Sequence, residues 1–275
     1  MAEVTAAAVN TLRKNTGLPM MDCKQALAAV EGDMEAAIKW LRERGKQILG
    51  GRGDRDTAFG RFGLYTSPTV GAMVELKCES APVAGSEEFI QLANDLAKQL
   101  ATGPGATTAD ELLDQKSPSK PTITLREVKE DMFNRIREVF NVGRFVRLNG
   151  ATGGYCHNAG TISGVLLQSE GVHDVAAKDI SMHVAAMRPA ALNVEDLDAA
   201  IVDNERNILR EQALQEGKPA AIVDKMVEGR LRNFYAERVL TKQPFVKDDK
   251  QSVGDYAAAH GLKLVKFVHW ELGKQ

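Results

Sequence analysis

The hydrophobic period changes partway through Ala72 to Leu100, and that switch restricts the folds open to this chain more than any other feature. Ala72, Val74, Leu76 and Cys78 alternate with Met73, Glu75 and Lys77, the period-2 pattern of a strand with one face on a core. From Glu87 the apolar residues fall at Phe89, Leu92, Ala93, Leu96, Ala97 and Leu100, one stripe of a helix. Between them, Glu79 to Gly85 contains a proline and a glycine that set a sharp bend with a tip of small side chains. Such a tip is either a plain turn or a part pushed into a partner. The pattern then recurs. Val74–Glu75–Leu76 aligns with Val165–Leu166–Leu167, a shift of 165 − 74 = 91 residues, and the same shift takes Phe89 to Ile180, Ala93 to Val184 and Leu96 to Met187. An α+β fold built from two related halves is expected, rather than one continuous sheet. At the second corner stands Gly171–Val172–His173.

The rest of the chain arranges itself around these halves. Residues 1–45 read as a small bundle of three short helices. Thr5 caps the first, Gly17 closes it before Pro19, Asp22 to Ala29 makes the second, and Ala36, Ala37, Trp40 and Leu41 mark the third, ending at Gly45. Residues 46–60, glycine-rich and charged, read as a linker. Residues 61–141 form the first half: a hairpin of Phe62–Thr66 against Gly71–Cys78, the corner and its helix, a short helical piece near Glu111 to Gln115, and a helix from Leu125 to Phe140. Residues 142–190 and 241–275 form the second half, opening with a strand at Val142–Asn149 and closing with a short helix near Tyr256 and a strand over Leu262–Leu272. Between its parts, residues 191–240 read as an antiparallel helical hairpin. Leu197, Ile201 and Ile208 mark one helix, Gly217–Lys218–Pro219 the turn, and Val223, Val227, Leu231 and Phe234 the return.

Composition argues against several classes of function. A formal charge of −2 over 275 residues gives no long-range attraction to nucleic acid or anionic lipid, and aromatics at 5% are too sparse for base-stacking platforms. No apolar run approaches a membrane span, and the start Met1–Ala2–Glu3–Val4 has no leader pattern, so a cytoplasmic protein is expected. Cys23, Cys78 and Cys156 are far apart and lack a C-x-x-C pair, which suggests neither a disulfide framework nor a zinc site. No phosphate-cradling, metalloprotease or nucleophile-elbow motif is present, and Gly150–Ala151–Thr152–Gly153–Gly154 misses the dinucleotide fingerprint. His183, inside the stripe Ile180, His183, Val184, Met187, reads as a structural histidine against the alternatives of ligand or base. The expectation is a binding protein with no cofactor, not an enzyme.

The run Leu12–Arg13–Lys14–Asn15–Thr16–Gly17–Leu18–Pro19–Met20–Met21–Asp22–Cys23–Lys24–Gln25–Ala26–Leu27 closely resembles the N-terminal signature of the elongation factor Ts family, whose members exchange guanine nucleotide on elongation factor Tu. Further matches, in family order, are Met182–His183–Val184–Ala185–Ala186, Gly217–Lys218–Pro219, Lys225–Met226–Val227–Glu228–Gly229–Arg230 and Gln243–Pro244–Phe245–Val246. The resemblance implies a ubiquitin-associated-like bundle, a core of two α+β halves and a protruding coiled coil. It also implies a partner, elongation factor Tu in its GDP-bound and nucleotide-free forms, and no direct contact with nucleic acid or membrane. By the same resemblance Arg13, Met20, Met21 and Lys24 would grip the partner's nucleotide-binding domain, His157 and Lys178 would lie on the core contact surface, and Phe245 and Val246 would meet a second partner domain. Met20 and Met21 could instead be bundle core, Arg13 a solvated residue and Phe245 a core anchor. At the corner the family commonly carries Thr-Asp-Phe-Val where this chain has Ser80–Ala81–Pro82–Val83, so the magnesium-displacing position is kept without the acid and the ring. The alternative function is a chaperone-like binder of elongation factor Tu with weak exchange. The hairpin could pair with a second copy or stand solvated.

Overall fold

The computed structural model describes residues 4–52, 55–217 and 219–274. By contacts the chain divides into two units, Met1–Gly63 with Val74–Val146, and Leu64–Met73 with Arg147–Gln275. It is a mixed α+β fold with small sheets.

The first unit opens with helices α1 (Ala6–Thr16), α2 (Met20–Ala29) and α3 (Met34–Gly50). Thr5 caps α1 by accepting the Ala8 N–H, and Gly17 ends it at φ +70°, a left-handed conformation glycine adopts without strain, donating to Arg13 O at 2.8 Å. Asp33 caps α3 through the Ala36 N–H. Leu12, Cys23, Ala26, Leu27 and Ala37 make a fully buried core among the three. The third helix does not stop at Gly45. It runs on to Gly50, through part of the stretch expected as linker, because Gly45 has a packing role instead. A Cβ there would lie 1.7 Å from Asn134 Oδ1, and Lys46 one residue on pairs with Glu130 at 3.4 Å. Of the expected linker, Gly53 and Asp54 lie outside the described residues.

Strands β1 (Phe59–Tyr65) and β2 (Val70–Cys78) lead through a single helical turn, α4 (Ala81–Ala84), into α5 (Glu87–Thr102), capped by Ser86. The expected stripe is buried throughout: Phe89, Leu92, Ala93, Leu96, Ala97 and Leu100 are at most 1% exposed. Helices α6 (Ala109–Leu113) and α7 (Leu125–Ile136) follow, each opened by a capping box, at Thr108–Glu111 and Thr124–Glu127. Asp95 on α5 is buried and accepts hydrogen bonds from Gln91, Ser117 and Ser119, which staples the loop before α7 to α5. Helix α7 ends at Ile136, short of the Phe140 expected, because Arg137 turns left-handed at φ +66°. Strand β3 (Asn141–Asn149) joins the first sheet, in the order β1-β2-β3, and not the second half as its place in the sequence suggested. The reason is local: the Glu75 carboxylate on β2 accepts from the Arg144 backbone N–H, Nε and Nη2, at 3.3, 3.2 and 2.8 Å.

In the second unit, β4 (Ala151–His157), β5 (Ser163–Glu170) and, at the end of the chain, β8 (Lys263–Glu271) form an antiparallel sheet in the order β4-β5-β8. Tyr155 lies opposite Val165 and Val165 opposite His269. Helix α8 (Asp174–Met187) covers it with Ala176, Ala177, Ile180 and Val184. The 91-residue shift thus maps middle strand to middle strand and helix to helix. It fails at its last pair, since Leu96 is buried and Met187 is 46% exposed. Helices α9 (Ala199–Gln215) and α10 (Ala220–Arg238) pack on each other through Leu209, Ala213, Val223, Val227, Leu231 and Phe234. The stripe expected on α10 is the buried one, whereas on α9 Ile201 and Ile208 face outward and Leu209 and Ala213 face in. Ion pairs Arg210–Asp224 and Arg230–Glu216 cross between the helices. Of the expected turn, Lys218 lies outside the described residues. Strands β6 (Pro244–Phe245) and β7 (Asp248–Ser252) pair, and α11 (Val253–Ala259) leads back to β8.

Candidate functional site

In the first unit, α2 begins directly at the two methionines, so its first turn presents them to solvent; Met20 is 47% and Met21 62% exposed. Neither is core. The core contacts of α2 are made by Cys23, Ala26 and Leu27. Arg13 and Lys24 are also exposed. Asp22, the third residue of α2, favours the positive end of the helix dipole and pairs with Arg137 Nη2 at 2.6 Å. Arg137 therefore reaches back from the end of α7 to the turn that carries the methionines.

The corner has its own bracing. Its turn is closed by the Ala84 N–H on Ser80 O and the Gly85 N–H on Ala81 O, both at 3.2 Å, leaving Ala81 and Pro82 exposed and Ser80 and Val83 half-buried. Ser80 Oγ donates to Glu138 Oε1 at 2.6 Å, and the Val139 N–H donates to Glu79 Oε1 at 2.8 Å. Arg55 pairs with Glu79 at 3.1 Å, and Arg52 Nη1 donates to Arg137 O at 3.0 Å. Cys78, behind the corner, is buried, and burial pushes its thiol up to about 11, so it stays protonated and inert at neutral pH.

In the second unit an open groove of about 510 Å³ is lined by Tyr155 and His157 of β4, by Met182, Ala185 and Ala186 of α8, and by Val246. It brings together two of the expected contact residues. His157 is exposed, its Nδ1 3.0 Å from Tyr155 Oη, and Val246 is 53% exposed. Phe245 is not on this surface: at 1% exposure it is core, stacked 4.1 Å from the Tyr256 ring, and the chain turns directly after it so that Val246 faces out. Lys178 is exposed on α8 and is not among the residues lining the groove.

His183 is fully buried and holds two distant motifs together. The Val246 N–H donates to its Nδ1 at 3.2 Å, which leaves Nε2 as the protonated nitrogen donating to Gln243 Oε1 at 2.9 Å. Burial lowers its pKa, with the Gln243 bond acting in the opposite sense. The Met182–His183–Val184 and Gln243–Pro244–Phe245–Val246 runs are thus two sides of one contact. Among the described residues no group of three or more His, Cys, Asp or Glu side chains is placed to hold a metal, and no helix is long and apolar enough to cross a membrane. Sequence reasoning missed Arg137, Glu138 and Gln243. Nothing local marked Arg137 or Glu138, because the apolar spacing carries the expected helix on to Phe140, past both.

The arrangement is one of exposed, braced surfaces, and the comparisons with known proteins place it among translation elongation factors. The family described as "Elongation factor TS" matches residues 79–274, and "Elongation factor Ts, mitochondrial, N-terminal" matches residues 1–49. Relatives named "Elongation factor Ts" include one from Kineococcus radiotolerans, 38% identical over 99% of this chain and 100% of the relative. Others come from Methylococcus capsulatus, 38% identical over 98% and 92%, and Pediococcus pentosaceus, 38% identical over 100% and 94%. The chain belongs to the elongation factor Ts family.

Proposed function

We propose that the chain binds elongation factor Tu carrying GDP, promotes GDP release by favouring the nucleotide-free complex, and so allows reloading with GTP during protein synthesis in the cytoplasm. The observation that carries this reading is the exposed methionine pair at the start of α2, held by the Asp22–Arg137 ion pair, within a chain that matches the family along almost its whole length. Methionine adapts to a partner surface, and because the turn that carries the pair is already braced, binding has to order the two side chains but not the backbone. Helices α1–α3 would act as the ubiquitin-associated-like bundle, with Arg13, Met20, Met21 and Lys24 on the partner's nucleotide-binding domain. His157, Lys178 and Val246 would contact the partner from the second unit, and α9–α10 would be the family's coiled coil.

Release then follows from linkage. Whatever factor bound nucleotide takes from the affinity of this chain, this chain takes from the affinity of the nucleotide. No bond is made or broken by the chain itself. The corner Ser80–Val83 would press on the magnesium side of the partner's nucleotide site, with Pro82 as a small stiff wedge in place of a phenyl ring. Exposed Ile201, Ile208 and Leu214 on α9 offer a face for homodimerisation, which sedimentation would detect as a concentration-dependent mass.

The test is to add the purified protein to its own elongation factor Tu loaded with fluorescent GDP. Acceleration well above spontaneous release is expected. Release at the spontaneous rate would overturn the proposal, and tight binding without acceleration would point to a chaperone-like binder. Met20→Ala with Met21→Ala should weaken binding about tenfold or more while leaving the circular dichroism unchanged.

A further inference from the structure

The segment Arg137–Val139 concentrates unfavourable features. Arg137 has φ +66° at a position where glycine would be unstrained, its Nη1 is buried without a hydrogen-bond partner among the described residues, and so is Oε2 of its neighbour Glu138. Strained backbone and orphaned polar groups persist only where the surroundings hold them, and they gather where position matters more than stability. What this segment touches is specific. Arg137 Nη2 holds Asp22 beside the methionine turn, Arg137 O accepts from Arg52, Glu138 accepts from Ser80, and the Val139 N–H donates to Glu79. Three consecutive residues therefore tie the Met20–Met21 turn to the corner by charged hydrogen bonds, the stronger and more directional kind. The bundle does not need this tie in order to stay docked, because Gly45 of α3 packs on Asn134 of α7, and Arg42 and Lys46 pair with Asp131 and Glu130.

We infer that Arg137 is a positioning residue: through Asp22 on one side and the Glu138–Ser80 bond on the other, it fixes the methionine turn and the corner in one register, so that the two contacts on the partner are made together. This rests on the proposed function, since both surfaces are assigned to elongation factor Tu there. A merely structural arginine would show its loss as lost stability. Here glycine suits the backbone of residue 137, so removal of the side chain should spare the fold and release only the register.

The test uses the full chain with Arg137→Gly, Asp22→Asn and the double variant. The thermal midpoint of Arg137→Gly is expected to match the wild type. Amide hydrogen exchange should quicken roughly tenfold at Cys23, whose N–H closes the first turn of α2 on Pro19 O, and at Ala84 and Gly85, whose N–H groups close the corner on Ser80 O and Ala81 O, while staying unchanged in the buried half of α5. Stimulated GDP release from elongation factor Tu should fall about fivefold or more, and the double variant should do no worse than Arg137→Gly alone, as partners in one interaction do. Unchanged amide exchange at α2 and the corner would overturn the inference. So would unchanged stimulation in Arg137→Gly, or fully additive losses in the double variant. If the wild type itself gave no stimulation, the proposed function would fall on that control alone, and the amide exchange would still decide whether Arg137 holds the two surfaces in register.

Discussion

At the scale of single residues, the buried imidazole of His183 shows how a side chain suited to chemistry serves packing instead. Its two nitrogens are both committed, one accepting from Val246 and the other donating to Gln243, whose own amide donates to Glu237 O at 3.0 Å. Protonation would put a charge in a buried site and turn the Nδ1 acceptor into a donor facing an N–H. The folded-state pKa is therefore held below the ordinary 6.5. As the pH falls below about 6.5 the unfolded chain takes up a proton that the folded one refuses, so stability present above that pH is lost progressively toward the lower folded pKa. Denaturation in urea at pH 7.5 and 5.5 should show this loss, and His183→Gln should remove its share of the pH dependence. His183→Ala, which strands Gln243 and the Val246 N–H and opens a cavity, should cost about 2–4 kcal/mol of stability in the same assay. The stripe in which His183 sits was legible in the sequence, because helical spacing alone makes that position inward-facing. Its partner Gln243, sixty positions away, was not, since nothing local marks a glutamine as buried. For the same reason Phe245 could be read either as a contact or as an anchor until its neighbours were known.

Between elements, the two units use one device for bringing a helix close to a sheet. Gly63 on β1 lies under α5, where a Cβ would fall 1.8 Å from the Ala93 carbonyl oxygen. Gly153 on β4 lies under α8, where a Cβ would fall 2.4 Å from that of Ala177. These strand glycines are positions of close approach, and neither neighbour can rotate away, one being backbone and the other a methyl fixed to it. Gly153→Ala and Gly63→Ala should each destabilise the protein by about 1–3 kcal/mol, with the larger effect at Gly63, read as a shift in the urea midpoint at constant slope. Gly229 of α10 is a useful contrast, since a Cβ there would meet no described atom within 4 Å. The glycines of β4 also explain why that strand escaped sequence reading: Gly153–Gly154 depresses strand propensity and looks like a loop, and only the pairing with β5 makes it a strand. Strand β3 was found but given to the wrong half, because its pairing with β2 runs through the Glu75–Arg144 contact and not through its neighbours in sequence.

For the whole molecule, the chain supplies one tryptophan to each unit, Trp40 on α3 and Trp270 on β8. Phenylalanine variants retaining only one of them allow the units to be followed separately. The acid-dependent loss attributed to His183 should then move the midpoint reported by Trp270 more than that reported by Trp40; equal shifts would show that the pH dependence is not located in the second unit. The switch from strand to helix was the most legible feature at this scale because it is repeated, and repetition separates a real pattern from a chance one. The tie through Arg137–Val139 was the least legible, being made between residues with no shared period.

Around the base of the α9–α10 insertion, Ala191 bridges Val239, the Ala190 N–H donates to Arg238 O, and the Leu240 and Thr241 N–H groups donate to Ala191 O and Leu192 O. Within the second unit the chain leaves and rejoins the sheet and α8 side by side, and no described residue of the intervening helices belongs to the cluster around Val165, Ile180 and Phe245. A segment joined in this way is a cassette. Lineages could lengthen, shorten or exchange it while the sheet beneath was inherited unchanged, because closing so short a gap demands little of the loop that replaces it.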